Sequence, residues 1–321
     1  MRKFLLLLAL FILPGTSYAV CTLSAPTATF GSVTTFSVGS TVNSTSTTTN
    51  VNCGTGGLSL LSSDFINYTF SSATNLSGTR AALKTSSTGT DTIPIQMCID
   101  SACATELQQN GSYRWNSASL LALGNSLNFN IPLYFRTVPG QVVAAGLYTT
   151  IITLTVSYNV CAGISALGAC VGTLHTSTGT AMQFTVNLNL TNDCTTITAP
   201  NVSFGSEPLV GSFSTVQQTS NVVCSKGSTF TVGLSNGSYY SGTTRQMASG
   251  TNRLAYDIYK GTTTTTRWGP TGTDRWSSAS ATSLNADLVT RNFTYTAQIL
   301  TTQNTPAAGS YTDSVVVDLS F

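Results

Sequence analysis

Charge is what this 321-residue sequence has least of. Asp, Glu, Lys and Arg make up 7% of it, against about 25% in an ordinary globular domain. Surface helices depend on Glu, Lys, Arg and Ala, so their shortage argues against a helical exterior. The Ser, Thr, Asn and Gly between the apolar positions favour strands joined by turns. Histidine occurs once, at His175, and no Cys-x-x-Cys pair is present, so no zinc-type donor set can be assembled from local motifs. Beyond the opening segment, no apolar run approaches the roughly 20 positions of a spanning helix. Catalysis has little to work with. His175 lies in Thr/Ser/Gly-rich sequence that reads as a loop, and none of the nearby hydroxyls has the turn context of an activated nucleophile. Asp100 falls between Cys98 and Cys103 with Glu106 just beyond, and the 11 acids show no paired arrangement. No enzyme, cofactor or metal is expected.

What is present begins with an export signal. Met1-Arg2-Lys3, an apolar stretch and Ser17-x-Ala19 mark residues 1–19 as a cleaved leader, with the mature chain starting at Val20. Its removal takes two of 13 basic residues and leaves 11 against 11 acidic ones. A formally neutral chain does not steer nucleic acid. Lipidation of Cys21 is the rival reading, but Val20 rather than Gly or Ala precedes it.

The mature sequence repeats itself. Cys21-Thr-Leu-Ser-Ala-Pro-Thr-Ala-Thr-Phe-Gly-Ser returns as Cys194-Thr-Thr-Ile-Thr-Ala-Pro-Asn-Val-Ser-Phe-Gly-Ser, and Val51-Asn-Cys53 as Val222-Val-Cys224. Arg114-Trp115 returns as Arg275-Trp276, and Ala144-Ala-Gly146-Leu-Tyr148 as Ala307-Ala-Gly309-Ser-Tyr311. Four matches in one order predict two tandem copies of an all-β domain, 20–191 and 192–321, each the size of one β-sandwich. Eight cysteines allow 105 pairings. Cys21 with Cys53 and Cys194 with Cys224 have counterparts in both copies and are paired on that ground. Each closes a loop of about 30 residues, worth roughly 3 to 4 kcal/mol. Cys98 with Cys103 and Cys161 with Cys170 remain, both confined to the first copy.

The copies differ at their ends. Tyr148, Thr150, Ile152, Leu154, Val156 and Tyr158 lie on one face of a period-two strand, matched by Tyr311, Asp313, Val315, Val317, Leu319 and Phe321. The first copy then continues into another alternating segment, with Met182, Phe184, Val186, Leu188 and Leu190 on one face. The second copy has no such continuation. A sandwich one strand short leaves an open edge and an uncovered stripe of core. We therefore expect 182–190 to complete the first copy in cis. The face carrying Val315, Val317, Leu319 and Phe321 is expected to line a groove that takes a strand from another chain.

The Cys-x-x-x-x-(x)-Pro start, the Phe-Gly-Ser after it, the second cysteine and the terminal Gly-x-Tyr-x-(Asp)-x-Val-x-Val strand resemble the spore coat protein U family. Domains of that family are subunits of archaic, Csu-type chaperone/usher pili. Thr150 departs from the pattern where the second copy has Asp313. The resemblance implies two immunoglobulin-like, pilin-type sandwiches, the second lacking its final strand. It further implies a periplasmic chaperone, an outer-membrane usher and a next pilin subunit as partners. Family pilins begin with a donor extension before the first cysteine, and none is expected here ahead of Cys21. That places the chain at the fibre's distal end, exported to the periplasm and then displayed at the pilus tip, as an adhesin for abiotic or host surfaces in attachment and biofilm formation. A non-adhesive subunit of a secreted coat or fibre is the alternative.

Contact residues are sought in first-copy insertions, since shared positions such as Trp115 and Trp276 serve a scaffold common to both. The loop from Cys161 to Cys170 carries Ile164 and Leu167 and no charge, which suits a patch for hydrophobic surfaces. Leu120, Leu121 and Leu123, and Val142 and Val143, are further candidates. The competing reading is that these side chains cover the ends of the core. A sugar platform at Tyr113, Trp115 and Asn116 ranks below surface adhesion, because Trp115 recurs in the second copy.

Overall fold

The computed structural model describes residues 18–55, 63–86, 88–123, 126–166 and 169–321. It divides into two compact units. The first holds residues up to Val33, Ser37–Gln141 and Gly146–Leu190, and the second Thr34–Phe36, Val142–Ala145 and Thr191–Phe321. Most of the expected leader lies outside the described residues, although Tyr18–Ala19 pairs in parallel with Leu174 and His175.

Alternating apolar positions build both sheets of the first unit. One sheet runs Ala169–Thr191, Gly146–Ala166, Phe65–Ala73, Ser112–Asn116, with Ala28–Thr34 on the other side of Ala169–Thr191. The other runs Thr22–Ser24, Ser44–Asn52, Asn128–Thr137, Ile93–Cys98, Arg80–Leu83 and Leu76–Ser77. Every second residue of Asn128–Thr137 is buried, as the period of a strand requires. Two polar groups in this core are paired with each other or with backbone: Tyr68 Oη and Thr49 Oγ1 are 2.8 Å apart, and the Cys21 amide donates to Tyr158 Oη. Disulfides join Cys21 to Cys53, Cys98 to Cys103 and Cys161 to Cys170.

The second unit repeats the same frame, stapled by Cys194–Cys224. Its larger sheet runs Cys194–Thr198, Val216–Cys224, Thr290–Ile299, Asn252–Lys260 and Arg245–Ser249. Its smaller sheet has only Trp276–Ser277, Thr231–Leu234 and Val317–Ser320. Trp268, fully buried, anchors the core: its ring stands edge-on to Trp276 at 5.0 Å, and its Nε1 donates to the Val232 carbonyl. Arg245, also fully buried, donates to the carbonyls of Leu234, Ser235 and Trp268 and to Asp257. Asp257 in turn accepts from Arg267 at 2.9 Å. A buried guanidinium is tolerable only when its donors are filled this completely.

Candidate functional site

The two units part company where the smaller sheet of the second one ends. In the first unit, Gly146–Leu154 is covered by 182–190 in an antiparallel ladder running from Gly146↔Leu190 to Leu154↔Met182. Both strands turn the same alternate residues inward. Tyr148, Thr150, Ile152 and Leu154 are buried, as are Met182, Phe184, Val186, Leu188 and Leu190. Burying each of these apolar side chains contributes about 1.5 to 3 kcal/mol. Ala28–Thr34 then pairs with the far edge of the covering strand, and Asn189 Nδ2 donates to Ser32 Oγ there.

In the second unit both neighbours of that covering strand exist without it. Residues 202–208, the repeat of 28–34, form no strand. With no backbone to pair against, an extended segment gains no ladder. On the opposite side, Tyr311, Asp313, Val315 and Val317 are half-buried where their counterparts Tyr148, Thr150, Ile152 and Leu154 are closed off. Between these segments runs a groove of about 320 Å³, lined among others by Val202, Phe204, Tyr256, Asp313, Val315 and Val317. A second hollow of about 650 Å³ shares Val202, Phe204, Met247 and Tyr311 with it. Leu319 is half-buried against the same core. The strand stops at Ser320, so Phe321 is not part of it; that ring is exposed and stands 6.2 Å from Phe230.

Apolar side chains share this groove with polar ones such as Asn201, Ser220 and Thr312, and its one charged lining residue is Asp313. Asp313 Oδ2 accepts from Tyr256 Oη at 2.7 Å, and Oδ1 accepts the amides of Ser238 and Ser314, each at 2.8 Å. Burial pushes the Tyr256 phenol well above its usual range, and the adjacent carboxylate pushes it further. Gly237 is needed beside this carboxylate. Its φ is +85°, and a Cβ there would come within 2.0 Å of Asp313 Oδ2.

A second distinctive feature belongs to the first unit. Its last two strands, Gly146–Ala166 and Ala169–Thr191, make a hairpin far longer than its partners; Phe65–Ala73 pairs only as far as Asn159. The ladder shifts register between Val156 and Tyr158, a bulge of the kind that re-aims a strand. Beyond it the arm is held by Cys161–Cys170 and by the facing pair Gly163↔Gly172, whose backbones approach too closely for any side chain. Val171, near the tip, is exposed. Leu167 and the side chain of Ile164 lie outside the described residues.

Other expected contact residues need correction. Leu120 is fully buried and Leu123 half-buried, because the short helix Ser117–Leu123 turns them toward the sheets while Leu121, a third of a turn away, is exposed. Val143 is buried, and Val142, though exposed, belongs with Val143 to the second unit, so neither is a loop of the first. Trp115 is buried edge-on to Tyr68 and Tyr113, which leaves no aromatic platform for a sugar. His175 sits in a strand rather than a loop and is buried beside the Cys21–Cys53 bridge. Burial holds its imidazole below the ordinary range. Among the described residues, His175 with Cys21 and Cys53 is the one cluster of metal-type donors, and both sulfurs are already spent in the disulfide. Asp100 accepts the Ala104 and Thr105 amides, which lowers its carboxyl, and Glu106 forms a 2.6 Å ion pair with Arg80. Both acids are occupied in holding loops. No helix among the described residues is long and apolar enough to cross a membrane.

A profile of the Spore Coat Protein U domain matches residues 8–155 and again 180–318. The chain belongs to the spore coat protein U domain family. The two family regions leave out 156–179, which is the arm beyond the bulge. No curated protein matches the chain. Among solved structures, a chain of the CsuC-CsuE chaperone-tip adhesion subunit pre-assembly complex, from archaic chaperone-usher Csu pili of Acinetobacter baumannii, is 25% identical. The alignment has a TM-score of 0.56 and covers 94% of this chain and 100% of that one. The CupB6 tip adhesin from Pseudomonas aeruginosa aligns over 93% of this chain and 94% of its own, at 10% identity and a TM-score of 0.32, too remote to bear on function.

Proposed function

We propose that this protein is the two-domain tip subunit of an archaic chaperone/usher pilus. The observation that carries this is the contrast between the two units: one face is covered by the chain's own 182–190, and its repeat stands half-open over a groove lined by Val202, Phe204, Val315 and Val317 among others. A strand of the next pilin subunit fills that groove in trans, as 182–190 fills the first in cis. Until then a periplasmic chaperone shields it, and an outer-membrane usher passes the chain to the cell surface. The alignment with a chain of the Csu chaperone and tip-subunit complex over nearly the full length supports the same arrangement.

The first unit is the adhesive one. Its uncharged, stapled arm is absent from the family regions and carries Ile164 and Leu167 in its sequence, and Leu121 adds an exposed apolar side chain. This tip attaches to abiotic or host surfaces and seeds biofilm. Ile164→Asp, Leu167→Asp and Leu121→Asp together place three charges where apolar contact is needed. Pili carrying this variant should assemble in normal number yet bind hydrophobic plastic no better than pili lacking the subunit. Unchanged attachment would leave the subunit a structural part of the fibre.

A further inference from the structure

We infer that Asp313 makes the second groove selective: it takes a strand presenting a hydrogen-bond-donating side chain opposite the carboxylate, and discriminates against the chain's own 182–190 segment. This rests on the reading of the groove as a strand acceptor.

The register comes from the first unit, where Val186 pairs directly across from Thr150 and both face the core. Thr150 Oγ1 has no hydrogen-bond partner there. A neutral hydroxyl covered by Val186 is tolerated. Asp313 occupies the repeat position of Thr150, with three hydrogen bonds on its carboxylate, none of them from a cation. Around it the frame has changed to match. By strand pairing, Tyr256 replaces Ile95 and Arg245 replaces Ala81. A covering strand would strip water from the groove side of Oδ2. A valine opposite it offers nothing in return, whereas Ser, Thr or Asn donates a hydrogen bond. The three bonds leave one acceptor site of the carboxylate to water, and covering that site without a donor costs enough to change affinity about tenfold. Both grooves therefore accept the same alternation of apolar residues, yet differ at one position in what must come between them. The chain's own strand fits the groove with Thr150. That difference disfavours exchange of 182–190 between copies, by a mismatch within the groove itself.

The test uses the full-length chain, whose first groove is already filled, and two synthetic peptides. One has the sequence of residues 180–191; the other is identical except for Val186→Thr, which exchanges a methyl for a hydroxyl at nearly constant shape. Binding is read by fluorescence anisotropy and by the rise in the second melting transition. The Thr peptide should bind about tenfold tighter. The preference should shrink on Asp313→Asn and vanish or invert on Asp313→Thr; the asparagine variant serves if the threonine one does not fold. Equal binding of the two peptides, or a preference that survives both substitutions, would overturn the selectivity while leaving the groove a strand acceptor. Binding of neither peptide would overturn the acceptor reading and the selectivity with it.

Discussion

Arg245 shows how much a single side chain can carry in a domain short of a strand. Its guanidinium ties the carbonyls of Leu234, Ser235 and Trp268 to Asp257 across the core of the second unit. Arg245→Leu should destabilise that unit by about 3 to 5 kcal/mol, because it leaves three carbonyls and part of Asp257 without donors. Arg245→Lys should recover only part of this, since an ammonium lacks the planar fork; urea unfolding of the peptide-complemented chain would measure both. His175 gives a pH dependence. Its imidazole titrates below the ordinary 6.5 because burial disfavours the cation, so the folded state binds its proton less readily than the unfolded one. Its contribution is fully present above about pH 6.5 and is lost as pH falls toward the depressed value. Melting of the first unit should drop more between pH 7.5 and 5 in the parent than in His175→Gln. Neither role was legible in the sequence. Arg245 stands in for Ala81 of the other copy without any local motif, and the Ser, Thr and Gly around His175 look like a loop until they are seen as the polar edge of a long arm. Leu120 and Leu121 were likewise inseparable as sequence: only the helix phase sends one inward and the other to solvent.

At the scale of elements, the strand 182–190 is the one on which the first unit closes. Its nine-residue alternation was plain in the sequence, and so was its place just ahead of the second copy's first cysteine, Cys194. Leu188→Ala, at a fully buried position facing Tyr148, should cost about 2 to 5 kcal/mol. A chain ending before Met182 should lose its first cooperative transition and bind a hydrophobic dye. What period-two patterning does not carry is the fate of the other groove wall. Val202 and Phe204 alternate much as Ala28 and Phe30 do, yet no strand forms, because extended backbone is stabilised by its neighbour and not by its own side chains. The arm was legible as a stapled loop but not as strand, and residues such as Gly163 and Gly172 carry no strand signal of their own. In the fold they are what lets two backbones touch. Gly163→Ala should therefore expose 164–169 to limited proteolysis while the melting of the sandwich below the bulge stays the same.

The whole molecule pairs a finished domain with an unfinished one. Residues 20–191 expressed alone should melt cooperatively as a monomer. Residues 192–321 alone should aggregate, and become soluble on adding a chaperone or a donor peptide; a well-behaved isolated 192–321 would contradict the division of labour. The repeat made this division readable, since each half serves as the other's reference and the deficit is a difference between them. The selectivity at Asp313 was visible only as a departure from Thr150, with no meaning until the ladder set Val186 opposite it.

The long hairpin also decides where tension goes. In the proposed tip role, the single strand Ala169–Thr191 would join the contacting arm to the link with the second unit. A cell tugged by flow would load that strand end to end. The rest of the first sandwich would act as a splint along its flank, its many rungs resisting in shear together instead of peeling one after another.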